Sequence, residues 1–117
     1  MLCGQGVTRC LMNNSIHYKF EKLLKARYAL AASRATLRDR IDESYHHFWL
    51  LKEDDFEGEG KKIRGEIQRL ITKNKAKDGY VVAHNIRHMP LARAEEIASL
   101  ILELYDIVAG EYLKSRL

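Results

Sequence analysis

The feature that most constrains this chain is a long run without glycine or proline. Neither residue occurs from Val7 to Glu57, a stretch of 51 positions in a chain of 117 residues. Glycine and proline are the strongest local breakers of regular structure, so their absence favours extended helical structure here. Because 46% of the residues are hydrophobic and 31% are charged, the composition is that of one folded domain rather than a disordered chain.

Apolar residues recur in this run with the period of a helix. A seven-residue series, interrupted only at Ser44, comprises Ile16, Leu23, Leu30, Leu37 and Leu51. With Ser15 as the N-cap, the pattern predicts one amphipathic helix from Ile16 to about Lys52, about 55 Å long. The small and polar residues of Ser33–Thr36 leave a kink, or a split into two helices, as the alternative.

Two shorter helices are predicted in the second half of the chain. One runs from Lys61 to about Lys73, and the other from Leu91 to about Arg116, directly after Pro90. Proline is tolerated in the first turn of a helix, which fits the second of these starts. The segment between them, Tyr80–Met89, has no clean apolar face and is compatible with a strand, a helix or a loop.

These elements predict an all-α fold, with residues 15–117 as a single antiparallel helical bundle and residues 1–14 as a disordered leader. A 55 Å helix offers a wider apolar stripe than two shorter helices cover, since Leu24, Tyr28 and Ala31 extend that stripe. We therefore expect a homodimer that completes the bundle. The expected function is that of a non-enzymatic interaction or ligand-binding module. It is expected to self-associate through the long helix, and a separate protein is the other candidate partner.

Several classes of protein are disfavoured by what the sequence lacks. The longest apolar run, Tyr28–Ala32, is far shorter than the roughly 20 residues that cross a bilayer, so we expect no membrane contact. The N-terminal residues do not resemble a secretory signal, which predicts a cytoplasmic protein. No glycine-rich phosphate cradle, nucleophile elbow or pair of catalytic carboxylates is present, so no cofactor is predicted.

The densest aromatic and histidine cluster lies near the end of the long predicted helix. It reads Tyr45, His46, His47, Phe48 and Trp49. Half-exposed aromatic rings next to titratable imidazoles can line a ligand pocket or anchor an interface, and Tyr45, His46, Phe48 and Trp49 are the candidates. The alternative is core packing of the aromatic rings with solvated histidines.

Arg40 and the two adjacent histidines suggest one catalytic possibility. Five residues separate Arg40 from His46, and Arg40 and His47 share a helical face. The first spacing resembles the Arg-x4-6-His pattern of HEPN-type ribonucleases, which are small all-helical proteins that act as dimers. The residue after the arginine, usually polar in that family, is Ile41 here. The resemblance implies metal-independent RNA cleavage, in which the arginine positions a phosphate and a histidine moves a proton.

The only concentration of positive charge follows directly after an acidic segment. Residues 53–60 carry a net charge of −5 and residues 61–77 carry +6. A basic helix face of this kind can follow nucleic-acid phosphates, although only Tyr80 lies close by for base stacking. The alternative is a solvated face that the acidic connector balances. The candidate nucleic-acid contacts in the predicted helix are Lys61, Lys62, Arg64, Arg69 and Lys73.

His84 and His88 are the candidates for a metal site. They are four residues apart, so they share one side of the segment whether it is helical or extended. With His46 or His47 and a carboxylate they could hold zinc or another transition metal. No cysteine and no second His-x-x-x-His motif accompanies them, so a polar surface with two solvent-facing imidazoles is the alternative.

Overall fold

The computed structural model describes residues 15–32, 34–73 and 81–117. Within these ranges all regular elements are helical, which confirms the all-α prediction. They are five α-helices and one short 3-10 turn at Glu53–Asp55. In chain order the α-helices are α1 (Ile16–Ala32), α2 (Leu37–Phe48), α3 (Gly58–Ile71), α4 (Val81–His88) and α5 (Leu91–Ser115). The predicted leader, residues 1–14, lies outside the described residues. None of the helices in these ranges combines the length and apolarity needed to span a membrane.

The predicted continuous helix from Ile16 to Lys52 is wrong, because the chain folds back after Ala32. Thr36 has extended backbone angles, φ −63° and ψ 163°, and its hydroxyl oxygen accepts a hydrogen bond of 3.3 Å from the backbone N–H of Asp39. This is the geometry of an N-cap, which satisfies a backbone N–H that the first turn of α2 would otherwise leave unpaired. Thr36, the last residue of the small and polar segment Ser33–Thr36, is therefore the N-cap of α2.

Two long cationic side chains hold the resulting hairpin closed. Arg40 of α2 donates a hydrogen bond of 2.8 Å to the carbonyl oxygen of Leu30 in α1, and one of 3.1 Å to the carbonyl oxygen of Ala35, which lies between the two helices. At the other end of the hairpin, Lys19 Nζ donates to the carbonyl oxygen of Asp55 at 2.7 Å. The single 55 Å helix from which a dimer was predicted is therefore absent.

The core lies between the hairpin and the C-terminal helices. Helix α1 packs against α2 and α5, and α3 packs against α5 on the other side. Helix α5 supplies one apolar stripe to the core, made of Ala94, Ile97, Ile101, Leu104 and Val108. Phe20 of α1 stacks on Tyr112 near the end of α5, with ring centres 4.3 Å apart. Apolar helix faces alone therefore form this core, and the described ranges contain no strand.

Helix α3 begins three residues earlier than predicted, at Gly58. This glycine has φ 55°, a left-handed backbone conformation that costs any residue with a Cβ atom about 1 to 2 kcal/mol. The preceding acidic connector is ordered as the 3-10 turn, where the Asp55 carboxylate accepts a hydrogen bond of 2.8 Å from the backbone N–H of Lys52. The connector thus turns the chain sharply from α2 into α3.

The segment whose conformation the sequence left open is helix α4. Its inner side is buried through Asn85, Ile86 and Met89. Asn85 Nδ2 donates a 2.7 Å hydrogen bond to the carbonyl oxygen of Ile71, the last residue of α3. Arg38 Nε of α2 donates to the carbonyl oxygen of Met89 at 3.0 Å. Both neighbours therefore fix which side of this short helix faces outwards.

Candidate functional site

An open groove of about 490 Å³ lies along the α1–α2 hairpin. We call it the α1–α2 groove. Residues of α1 form one side and the floor, and two residues of α2 form the other side. The lining comprises Leu24, Lys25, Tyr28, Ala29, Ala32, Glu43 and His47.

Helical spacing explains why these side chains meet. Leu24, Tyr28 and Ala32 are four residues apart along α1, so they lie one above the other on a single face. Glu43 and His47 have the same spacing on α2. Because α2 runs back along α1, the two rows face each other across the hairpin.

The groove exposes apolar surface and carries opposite charges on its two sides. The side chain of Tyr28 is 64% exposed, although a large aromatic residue gains free energy from burial. Lys25 lies on the α1 side and Glu43 on the α2 side. An exposed aromatic ring next to small alanines, with a cation on one side and a carboxylate on the other, is suited to contact with another protein surface.

Sequence reasoning found only part of this groove. It placed Leu24 and Tyr28 beyond the main apolar ladder and singled out His47, but it missed Lys25, Ala29, Ala32 and Glu43. The available signal was that Lys25 and Ala32 share the helical face of Tyr28, and that Ala29 lies four residues after Lys25. The missing information was the position of α2, because only the hairpin brings Glu43 to that face.

The predicted aromatic site does not assemble as one surface. Tyr45 and Phe48 are buried in the core, where their rings form an edge-to-face contact with centres 5.4 Å apart. His46 and Trp49 lie outside the core. The Nδ1 atom of His46 is 2.9 Å from the carbonyl oxygen of Asp42, and Trp49 packs beneath the ammonium group of Lys52 at 5.1 Å. The contact of His46 and Trp49 with a ligand stays a prediction.

The three residues predicted for RNA cleavage, Arg40, His46 and His47, have different surroundings. The Nε and Nη1 groups of Arg40 donate to the carbonyl oxygens of Ala35 and Leu30, so the guanidinium group is part of the hairpin turn. His46 bonds locally within α2, and His47 lies on the α1–α2 groove. These backbone bonds use two of the five N–H donors of Arg40, and its role with His46 or His47 in RNA cleavage stays a prediction.

Arg64, one of the predicted nucleic-acid contacts, is a core residue. Only 1% of its surface is exposed, and burial lowers the pKa of its guanidinium group below the ordinary value. Arg64 Nε donates to the carbonyl oxygen of Leu51 at 2.7 Å, and Nη1 donates to Gln68 Oε1 at 3.0 Å. The guanidinium group also lies against the rings of Tyr45, at 5.6 Å, and Phe48, at 5.2 Å. Among the described residues, Nη2 has no hydrogen-bond partner.

Two of the other basic residues are paired with carboxylates. Arg69 bonds to Glu66 one turn earlier, and this hydrogen bond lowers the pKa of the Glu66 carboxyl below its ordinary value. Lys61 Nζ lies 3.6 Å from Asp54 in the acidic turn. Lys62 and Lys73 are exposed. The continuous basic face that the sequence suggested is therefore interrupted by one buried arginine and two ion pairs. Residues 74–80, with the remaining basic residues of that stretch, lie outside the described residues.

The predicted set of metal ligands assembles only as a pair. The rings of His84 and His88 lie side by side on α4, with centres 4.6 Å apart. Within residues 15–32, 34–73 and 81–117, no three or more histidine, cysteine, aspartate or glutamate side chains come together as a metal site. His46 and His47 therefore do not close a site around His84 and His88.

The chain matches no known family model, no curated protein and no solved structure. Its function has to follow from the chemistry of its own surfaces.

Proposed function

We propose that this protein is a self-associating helical interaction module whose dimer forms through the α1–α2 groove. The observation that carries the proposal is the position of Tyr28, which stands 64% exposed in a groove of about 490 Å³. Burying a tyrosine at the centre of an interface contributes more binding free energy than most other contacts. The groove therefore offers both an aromatic anchor and a depression that could receive one.

A second copy of the chain is the occupant that fits this groove. A two-fold contact uses the same surface on both subunits, so a ring that protrudes from one copy must fit beside the same ring of the other. Ala29 and Ala32 leave space next to Tyr28 for this purpose. In such a pairing, Lys25 of one copy faces the partner's Glu43, and the same pair repeats across the axis. The opposite charges on the two sides make the groove complementary to itself.

Sedimentation velocity across the micromolar range, compared between the wild-type chain and Tyr28→Ser, tests this proposal. We expect the wild-type protein to show a monomer–dimer equilibrium. The substitution removes an anchor worth about 2 kcal/mol, so it should weaken the dimer by roughly 30-fold. Leu113→Ser is a matched control, because Leu113 is a similarly exposed apolar residue, at 65%, that does not line the groove.

Three outcomes would overturn the proposal. The wild-type chain could remain a monomer at every concentration, Tyr28→Ser could leave the dimer intact, or Leu113→Ser could weaken it by as much. Circular dichroism and urea unfolding show whether either variant has lost its fold, which would also abolish the dimer. Because Tyr28 is exposed, we expect the stability of the monomer to change by less than about 0.5 kcal/mol.

A further inference from the structure

The orientation of helix α4 is fixed from its buried side. Asn85, Ile86 and Met89 are 1 to 2% exposed, and Asn85 is bonded to the end of α3. His84 and His88 are both exposed. Because α4 is held by its inner side, the two imidazoles stay next to each other on its outer surface.

The two rings are already close enough to act together. Residues four apart on a helix are neighbours, and these ring centres are 4.6 Å apart, with an angle of 40° between the ring planes. A metal-bound imidazole nitrogen lies about 2 Å from the ion. Rotation about the side-chain torsions of His84 and His88 brings one nitrogen from each ring to that distance from a shared ion. The helix pre-organises the pair, so binding orders only four torsions.

We propose that His84 and His88 form a two-imidazole site for a late divalent transition metal, the class that contains Cu²⁺, Ni²⁺ and Zn²⁺. Imidazole nitrogen suits these borderline ions, whereas Mg²⁺ and Ca²⁺ prefer oxygen ligands. The described residues supply no third histidine, cysteine or carboxylate, so water completes the coordination shell. Affinity should increase from Zn²⁺ and Ni²⁺ to Cu²⁺, following the general order for nitrogen ligands.

Arg87 is the positively charged residue closest in sequence to the two histidines, and carboxylates line the same cavity. Arg87 lies between the two histidines in the chain and lines this small cavity together with Arg38, Asp39 and Asp42 of α2. The two carboxylates balance the two guanidinium charges, which would otherwise oppose a divalent ion at the neighbouring imidazoles. The site is therefore compatible with a bound cation.

Titration of the 117-residue chain with NiCl₂, followed by NMR on the histidine ring protons, tests the site directly. We expect paramagnetic Ni²⁺ to broaden the ring signals of His84 and His88 together and before those of the other histidines. His84→Ala and His88→Ala should each weaken binding at the remaining imidazole by at least about tenfold, because the second nitrogen binds intramolecularly. His46→Ala is the control, since His46 is also an exposed histidine on a helix, and it should leave the affinity unchanged.

A rescue variant separates loss of the site from loss of the fold. In the His88→Ala background, Arg87→His places an imidazole three residues from His84, a spacing that also makes side chains neighbours on a helix. We expect this double variant to recover most of the lost affinity. The proposal is overturned if His84→Ala or His88→Ala binds Ni²⁺ as tightly as the wild type, if His46→Ala loses binding equally, or if the double variant recovers nothing.

Discussion

Ser44 Oγ donates a 2.9 Å hydrogen bond to the carbonyl oxygen of Ala26 at the buried contact between α1 and α2. Both residues are fully buried. Ser44 is the one position at which the seven-residue apolar series fails, and it is also where a small side chain lets the two helices approach. The apparent defect in the series thus marks a packing position of the hairpin.

Ser44→Leu would repair the apolar series, and it distinguishes the hairpin from a continuous helix. In the hairpin, leucine at this closed contact forces the helices apart, so we expect a loss of about 1 to 3 kcal/mol in the free energy of unfolding. Ser44→Ala removes only the hydrogen bond and should cost about 1 kcal/mol. Urea unfolding measures both changes. A Ser44→Leu variant more stable than the wild type would contradict this packing.

The buried guanidinium group of Arg64 gives a second prediction. Arg64→Met keeps an apolar stem against Tyr45 and Phe48 and removes a charge that is costly to bury, so we expect its stability to lie within about 1 kcal/mol of wild type. Arg64→Ala also leaves a cavity, and we expect it to cost about 3 kcal/mol. Thermal or urea unfolding separates the two. Equal losses would show that the hydrogen bonds to Leu51 and Gln68, rather than the packed stem, carry the contribution of Arg64.

Two glycines should respond to alanine with opposite signs. Gly58 has φ 55°, so Gly58→Ala should destabilise the protein by about 1 to 2 kcal/mol. Gly110 lies within α5, and a Cβ atom there would meet nothing within 4 Å. Gly110→Ala should therefore stabilise the protein by about 0.5 to 1 kcal/mol through helix propensity. If the unfolding midpoints of both variants moved in the same direction, the positive φ angle of Gly58 would be contradicted.

A charge exchange tests the self-complementarity of the α1–α2 groove. Lys25→Glu alone and Glu43→Lys alone each place like charges opposite one another in the proposed dimer. Each should weaken it several-fold, given about 1 kcal/mol for an exposed pair. The double variant Lys25→Glu/Glu43→Lys restores opposite charges and should regain most of the affinity. Sedimentation at low and high salt measures the effect, and additive losses in the double variant would argue against this pairing.

The sequence predicted the C-terminal half of the fold more closely than the N-terminal half. Helix α5 was expected from Leu91 to about Arg116 and is observed as Leu91–Ser115, because Pro90 marks its start and one clean apolar stripe marks its length. The split into two helices was given only as the alternative, because two packed helices and one long helix have the same apolar period. The signal for a break was confined to Ser33–Thr36, and a small and polar segment without glycine or proline is a weak signal.

The candidate sites were harder to predict than the fold, since they depend on which helices become neighbours. Arg64 was assigned to a basic surface, although its position three residues before Ile67 and seven before Ile71 puts it on the apolar stripe of α3. The α1–α2 groove needs Glu43 and His47 opposite Tyr28, a relationship that exists only after the chain turns at Thr36. Local periodicity contains no information about that pairing.

The most direct test of the hairpin is a distance measurement between its two ends. Spin labels at Glu21→Cys and Lys52→Cys, with Cys3 and Cys10 replaced by serine and the labelled protein diluted with unlabelled chain, report the intramolecular distance by pulsed electron paramagnetic resonance. Since helices in contact lie about 8 to 10 Å apart, the hairpin predicts a main distance below about 25 Å. A distance near 46 Å, which 31 residues span at about 1.5 Å each in a continuous helix, would contradict it.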